Sequence, residues 1–198
     1  RRPHFMADIT IDPKHTAVLV LDYLVGIVSD DARRAALAKA TPVVKAARSA
    51  GLTIVYGTLG SGFEDDRPIV HPRNWSLVNF RGGGRFRRGS EDVKIHPDVA
   101  PQEGDIIIDR QRAGIFSGTS LDLMLRSREI GQLAIFGIST SGQVLSAVRW
   151  GVDLDYDQYV LEDCCADKDE EVHRMLMSKV LSMHSKVISS EDFLAAIK

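Results

Sequence analysis

Asp22, Arg110 and Gln143 are the side chains of this chain whose types and positions suit proton-transfer chemistry on a small molecule. Asp22 ends an apolar run that begins at Thr16, Arg110 follows the run Asp105 to Asp109, and Gln143 comes one turn after the run Leu133 to Ile138. A carboxylate beside a guanidinium has its charged form favoured, and a guanidinium does not give up its proton. Asp22 is therefore the one acid or base of the three. Taken singly, a strand-end aspartate serves as readily as a cap or ion-pair partner, and a glutamine as a plain surface amide. Arg112, just beyond Arg110, either neutralises a substrate carboxylate through a bidentate contact or sits on a solvated edge.

The stretch Phe136-Gly-Ile-Ser-Thr-Ser-Gly-Gln-Val144 explains why these residues would meet a ligand. An apolar strand runs there into a hydroxyl-rich helix start, with Val144, Ala147, Val148 and Gly151 following at helical spacing. Such a turn aims free N–H groups and the positive end of the helix dipole at whatever lies above the sheet. An ordinary βα turn with capping hydroxyls fits the same residues.

Behind these positions the chain alternates strand-like and helix-like runs. Strands are expected over Thr16 to Asp22, Leu52 to Thr58, Asp105 to Asp109, Leu133 to Ile138, Asp155 to Leu161 and Lys186 to Ser189. Helices are expected over Asp30 to Ala50, with Thr41-Pro42 as a kink or a second start, over Thr119 to Ile130, after Ser139, and after Asp167-x-x-Glu170, which reads as a capping box. The repeated βα order predicts parallel strands, right-handed crossovers and helices on both faces of one sheet. Ligands in that architecture bind beyond the carboxyl ends of the strands.

With 198 residues, 44% of them hydrophobic, the chain is expected to form one domain around one core. A net charge of −2 excludes the large basic excess of a dedicated nucleic-acid or membrane-surface binder. The longest apolar run, Thr16 to Val28, is interrupted by Asp22 and too short to span a bilayer, and Arg1-Arg2 is not followed by a signal-type segment, so a cytoplasmic location is the expectation. Cys164 and Cys165 are adjacent, which suits neither a disulfide nor a metal site; buried, inert thiols are expected.

The segment Leu59 to Gly104 breaks the alternation and reads as a long lid or subunit-contact loop. Within it Arg81-Gly-Gly-Gly-Arg85-Phe-Arg87-Arg88-Gly89 resembles an RNA-binding arginine–glycine tract, a reading that one short copy in a slightly acidic chain does not sustain.

Four segments together resemble the isochorismatase-like, or cysteine hydrolase, superfamily across nearly the whole chain: Thr16-Ala-Val-Leu-Val-Leu-Asp22 with Gly26-Ile27-Val28; Arg110-Gln-Arg112-Ala-Gly-Ile-Phe116-Ser-Gly-Thr119-Ser-Leu121; Phe136 to Val144; and Leu161-Glu-Asp163-Cys-Cys-Ala166-Asp167 with Glu171-Val-His173-Arg174. The resemblance implies a three-layer α/β/α sandwich with a six-stranded parallel sheet, a homo-oligomer, and a cis peptide at Ile138-Ser139. In that family an aspartate, a lysine and a cysteine hydrolyse amides and related bonds while backbone N–H groups hold the oxyanion. By position the aspartate is Asp22, the lysine is replaced by Arg110 and the cysteine by Gln143, with the amides of Ser139 and Gln143 as oxyanion donors. The family's usual Gln and Asn after the aspartate are also absent, where this chain has Asp22-Tyr23-Leu24-Val25.

An amide side chain is no nucleophile, so a covalent thioester route through Gln143 is excluded and nicotinamidase-type chemistry is disfavoured. Family members that cleave the vinyl ether of isochorismate also lack the cysteine and use the aspartate as an acid, though they keep the lysine. The family's zinc-binding members carry an aspartate and histidines after the second strand; Asp65, Asp66 and His71 occupy that region without a ligand spacing, so neither a metal nor another cofactor is expected. The leading expectation is a hydrolase, or a related lyase or hydration enzyme, that uses Asp22 as general acid/base on a small carboxylate or carbonyl substrate, oriented by Arg110 and Arg112. The competing one is a catalytically silent member that binds a metabolite or serves as an oligomeric partner.

Overall fold

Every side chain of the first strand, β1 (Thr16–Leu21), is buried, as a central strand covered on both faces requires. In the computed structural model, which describes residues 9–59, 71–81 and 85–197, β1 lies inside a six-stranded sheet. The other strands are β2 (Thr53–Thr58), β3 (Ile106–Asp109), β4 (Gln132–Gly137), β5 (Asp157–Leu161) and β6 (Lys186–Ile188), in the order β3-β2-β1-β4-β5-β6 with every pair parallel. The strand order reverses between β1 and β4, which opens a crevice beyond their carboxyl ends.

The helices are α1 (Asp31–Ser49), α2 (Trp75–Arg81), α3 (Leu121–Arg126), α4 (Leu145–Asp153), α5 (Glu170–Met175) and α6 (Ser190–Ala196). Right-handed crossovers on either side of the reversal send α1 to one face and α3, α4 and α5 to the other, while α6 returns to pack on α1. This is the expected three-layer sandwich.

Local chemistry accounts for most element ends. Asp30 caps α1 by accepting from the Arg33 N–H at 2.9 Å. One helix runs through Pro42 instead of restarting there. The carbonyl that Pro42 leaves without a donor is that of Ala38, on the exposed side, where water can serve it. The start of α5 departs from the expected cap. Asp169, not Asp167, accepts from the Glu171 and Val172 N–H groups, because Asp167 is taken by the Ser141 N–H at 2.6 Å. The expected strand over Asp155 and Tyr156 begins later, since Asp155 has a left-handed backbone (φ 59°) that ends the preceding turn. The long third segment also holds more regular structure than its sequence suggests: α2 and two single turns, Glu91–Val93 and Pro97–Val99.

Gly137 shows how closely β1 and β4 approach at the crevice. A Cβ there would lie 2.2 Å from the Leu21 carbonyl oxygen, so only glycine fits. Immediately after it, the Ile138–Ser139 peptide is cis, as expected. Among the described residues no helix is long and apolar enough to cross a membrane.

Candidate active site

Three strand ends deliver side chains to one cavity of about 330 Å³. Asp22 follows β1 in a left-handed conformation (φ 56°), which aspartate tolerates better than most residues, and its N–H donates to the Gly57 carbonyl at 3.1 Å. Arg110 follows β3 and donates its N–H to the Thr58 carbonyl at 3.0 Å. After β4, Thr140–Val144 forms one wide turn that leads into α4 and carries Gln143. That turn is held from outside the site. Its Thr140 N–H donates to the Ala166 carbonyl at 3.0 Å, Thr140 Oγ1 lies 2.8 Å from His173 Nδ1, and Asp167 takes the Ser141 N–H.

Asp22, Arg110 and Gln143 all line the cavity and are 4%, 6% and 2% exposed. Arg110 Nη2 donates to Asp22 Oδ2, and Arg110 Nη1 donates to the Arg112 carbonyl at 2.5 Å. The remaining polar atoms have no partner among the described residues: Asp22 Oδ1, Arg110 Nε, and both Oε1 and Nε2 of Gln143. Buried polar groups almost always find partners, so this concentration marks a surface built to receive a polar molecule.

Burial pushes the Asp22 carboxyl above the usual carboxylate range, and the Arg110 guanidinium works against that rise without cancelling it. The guanidinium alone would have lowered it; the depth of the site reverses the balance.

Ser139 lines the cavity with Ile138 and Gly142. Arg112 is not brought to its wall: its Nη1 donates to the Gln111 carbonyl at 2.7 Å, and its own carbonyl serves Arg110. Two other arginines are there instead, Arg33 from the first turn of α1 and Arg85 from the glycine-rich segment. Nothing in the sequence singles out Arg33 within the helix expected over Asp30 to Ala50, and Arg85 is read there only within the arginine–glycine tract.

Phe86, the aromatic of the arginine–glycine tract, is only 4% exposed and stacks on Phe80 with ring centroids 4.8 Å apart, so its ring is not offered to bases in solution. The first two glycines of that tract's triplet, with the third, lie outside the described residues, as do Asp65 and Asp66. His71 is exposed, and its Nδ1 accepts from the Arg73 N–H at 3.0 Å. Among the described residues no cluster of His, Cys, Asp or Glu is arranged to hold a metal ion. Cys164 and Cys165 are buried, free and absent from the cavity wall; Cys165 Sγ donates to the Leu161 carbonyl at 3.3 Å, and burial pushes its thiol up to about 12.

Comparison with known proteins agrees with this architecture. The family model described as "Isochorismatase domain" matches residues 16–192. The isochorismatase family protein YwoC of Bacillus subtilis is 26% identical over 98% of this chain and 100% of its own length. The ureidoacrylate amidohydrolase RutB of Caulobacter vibrioides is 33% identical over 92% of this chain and 91% of its own. Among solved structures, a cysteine hydrolase from Pseudomonas syringae superposes with a TM-score of 0.84 at 22% identity, covering 96% of this chain and 95% of that one.

Proposed function

The chain belongs to the isochorismatase family of hydrolases, and from that premise we propose that it hydrolyses a small carbonyl- or carboxylate-bearing substrate by acid–base catalysis from Asp22, with no covalent intermediate. The observation that carries this reading is the set of polar atoms of Asp22, Arg110 and Gln143 on one cavity wall that have no partner among the described residues. No thiol lines that wall.

The division of labour follows from which atoms are engaged. Arg110 holds Asp22 Oδ2, which leaves Oδ1 directed to the bound molecule. Asp22 takes a proton from an attacking water as the water oxygen bonds to the substrate carbonyl carbon, and returns that proton to the departing nitrogen or oxygen as its bond to carbon breaks. A carboxyl whose proton affinity is raised by burial serves both steps better than an ordinary one. The Gln143 amide offers the two N–H donors of Nε2 and the acceptor Oε1 to water and substrate. The main-chain N–H groups of Ser139 and Gln143, at the start of the helical segment after β4, are the donors for the developing oxyanion. Where the scissile bond is a vinyl ether, the same carboxyl acts first as the acid.

Asp22→Asn tests the assignment. The variant amide still accepts from Arg110, so circular dichroism should stay unchanged while turnover falls by about 10²- to 10⁴-fold in a screen of amides, esters, vinyl ethers and lactones. Full activity in this variant would refute the role given to Asp22.

A further inference from the structure

The cavity has a second charged wall that the proton-transfer chemistry does not use. It is built on the turn Gly26 to Ser29, just beyond Asp22. Arg33 Nη1 donates to Ser29 Oγ at 3.2 Å and lies 3.4 Å from the Ile27 carbonyl, and Arg85 Nη2 donates to the Gly26 carbonyl at 2.6 Å. Both side chains line the cavity, whereas their carboxylate partners, Asp30 at 3.2 Å and Asp92 at 3.2 Å, do not. Arg33 Nε is buried with no partner among the described residues. Among the described residues, the charged side chains on the wall are Arg33, Arg85 and Arg110 with Asp22.

The described lining also has an apolar part. Phe86 stacks on Phe80 at an interplanar angle of 17°, and Leu77, Ile27 and Ile138 complete the surface. The Arg85 guanidinium lies 5.0 Å from the Phe86 ring centroid, so the cation and the apolar face meet in one place.

We propose that Arg33 and Arg85 form a carboxylate subsite, so that the substrate is an organic monoanion whose apolar body packs against Phe80, Leu77 and Ile27 while its reacting bond reaches Asp22. This rests on the hydrolase reading for what happens to the ligand but not for the binding itself. Guanidinium groups match carboxylates in geometry as well as charge, and anchoring one end of a small substrate fixes the other end against the acid–base group.

Binding of benzoate and of its neutral isostere benzamide, measured by isothermal titration calorimetry on the intact protein, tests the subsite without requiring turnover. Benzoate should bind about tenfold or more tightly than benzamide, as a charge-assisted hydrogen bond allows, and its affinity should fall as salt is raised. Arg33→Gln and Arg85→Gln should each erase most of that preference while leaving benzamide binding unchanged, which also reports that the cavity is still folded. Arg33→Lys and Arg85→Lys, which keep the charge, should retain part of it. Equal affinity for the two probes, binding of neither, or a preference that survives both glutamine variants would overturn the proposal. Because Asp22→Asn leaves the arginines in place, a failure of the catalytic assignment would show in turnover alone, with the benzoate preference intact.

Discussion

Replacing Arg110 by methionine should turn Asp22 into a pH-dependent liability of the fold. The two side chains are 7% and 5% exposed, so the carboxylate would lose its one charged partner with almost no access to water. Removing one member of a buried pair costs about 3–5 kcal/mol, but here the carboxyl can escape by taking up a proton, which sets a ceiling. Asp22 already binds its proton more tightly in the folded state than when unfolded, so its contribution is fully present below the unfolded pKa and is lost as pH rises through the folded one. Without Arg110 the folded value moves further up and the loss deepens. Each pH unit above an unfolded value of about 3.9 costs about 1.4 kcal/mol, giving a ceiling near ~4 kcal/mol at pH 7 and less than ~1 kcal/mol at pH 4.5. A pH-independent loss of about 1 kcal/mol adds to this from the hydrogen bond to the Arg112 carbonyl.

Urea unfolding of wild type and Arg110→Met at pH 4.5 and pH 7 measures the difference directly. Thermal midpoints at pH 7 should drop by at most about 10–20 °C, the ~4 kcal/mol ceiling and the added ~1 kcal/mol each counting about 2–4 °C per kcal/mol in a chain of this size. The double variant Asp22→Asn/Arg110→Met, which removes both charges, should recover most of the pH-dependent part. A destabilisation equal at the two pH values, or one that persists in the double variant, would show that the pair is not the buried, water-excluded contact on which the site has been built.

Gln143→Met fills the same volume without two amide atoms that lack partners among the described residues, so it should raise the thermal midpoint by about 2–12 °C, for about 1–3 kcal/mol, while turnover is lost; an unchanged rate would remove Gln143 from the site. Gly137→Ala should abolish soluble expression, because the added methyl would overlap the Leu21 carbonyl oxygen at 2.2 Å and push β1 from β4; a normal yield and melting curve would contradict that close approach. At pH 7.5 iodoacetamide should leave activity intact and alkylate neither thiol until denaturant exposes both cysteines, since burial holds Cys165 at about 12 and raises Cys164 as well; inactivation of the native enzyme would reinstate a thiol mechanism.

Much of the architecture was legible because a parallel sheet advertises itself. A strand covered on both faces must be almost wholly apolar, and β1 is apolar from Ala17 to Leu21. The residue that follows such a strand must leave the sheet at its carboxyl end, so Asp22 and Arg110 could be placed from their neighbours alone. Elements whose side chains do not serve the core left no such trace. In α2, Trp75, Val78 and Phe80 are exposed and, among its described side chains, only Leu77 is buried, so no apolar stripe announced a helix. The cap of α5 failed for another reason. Asp167 and Asp169 are equally good acceptors locally, and only the distant Ser141 N–H separates their roles.

The order of strands and helices, the strand-end positions of Asp22 and Arg110 and the absence of a thiol at Gln143 follow from the sequence alone, because hydrophobic period and residue chemistry are local properties. Which arginines face the cavity, how far burial overrides the guanidinium at Asp22, and that Phe86 lines the site instead of meeting solvent were decided by the tertiary structure. Those outcomes depend on contacts between residues far apart in the chain, 88 positions for Asp22 and Arg110. Solvent exclusion, which sets their electrostatic strength, exists only once the layers have packed.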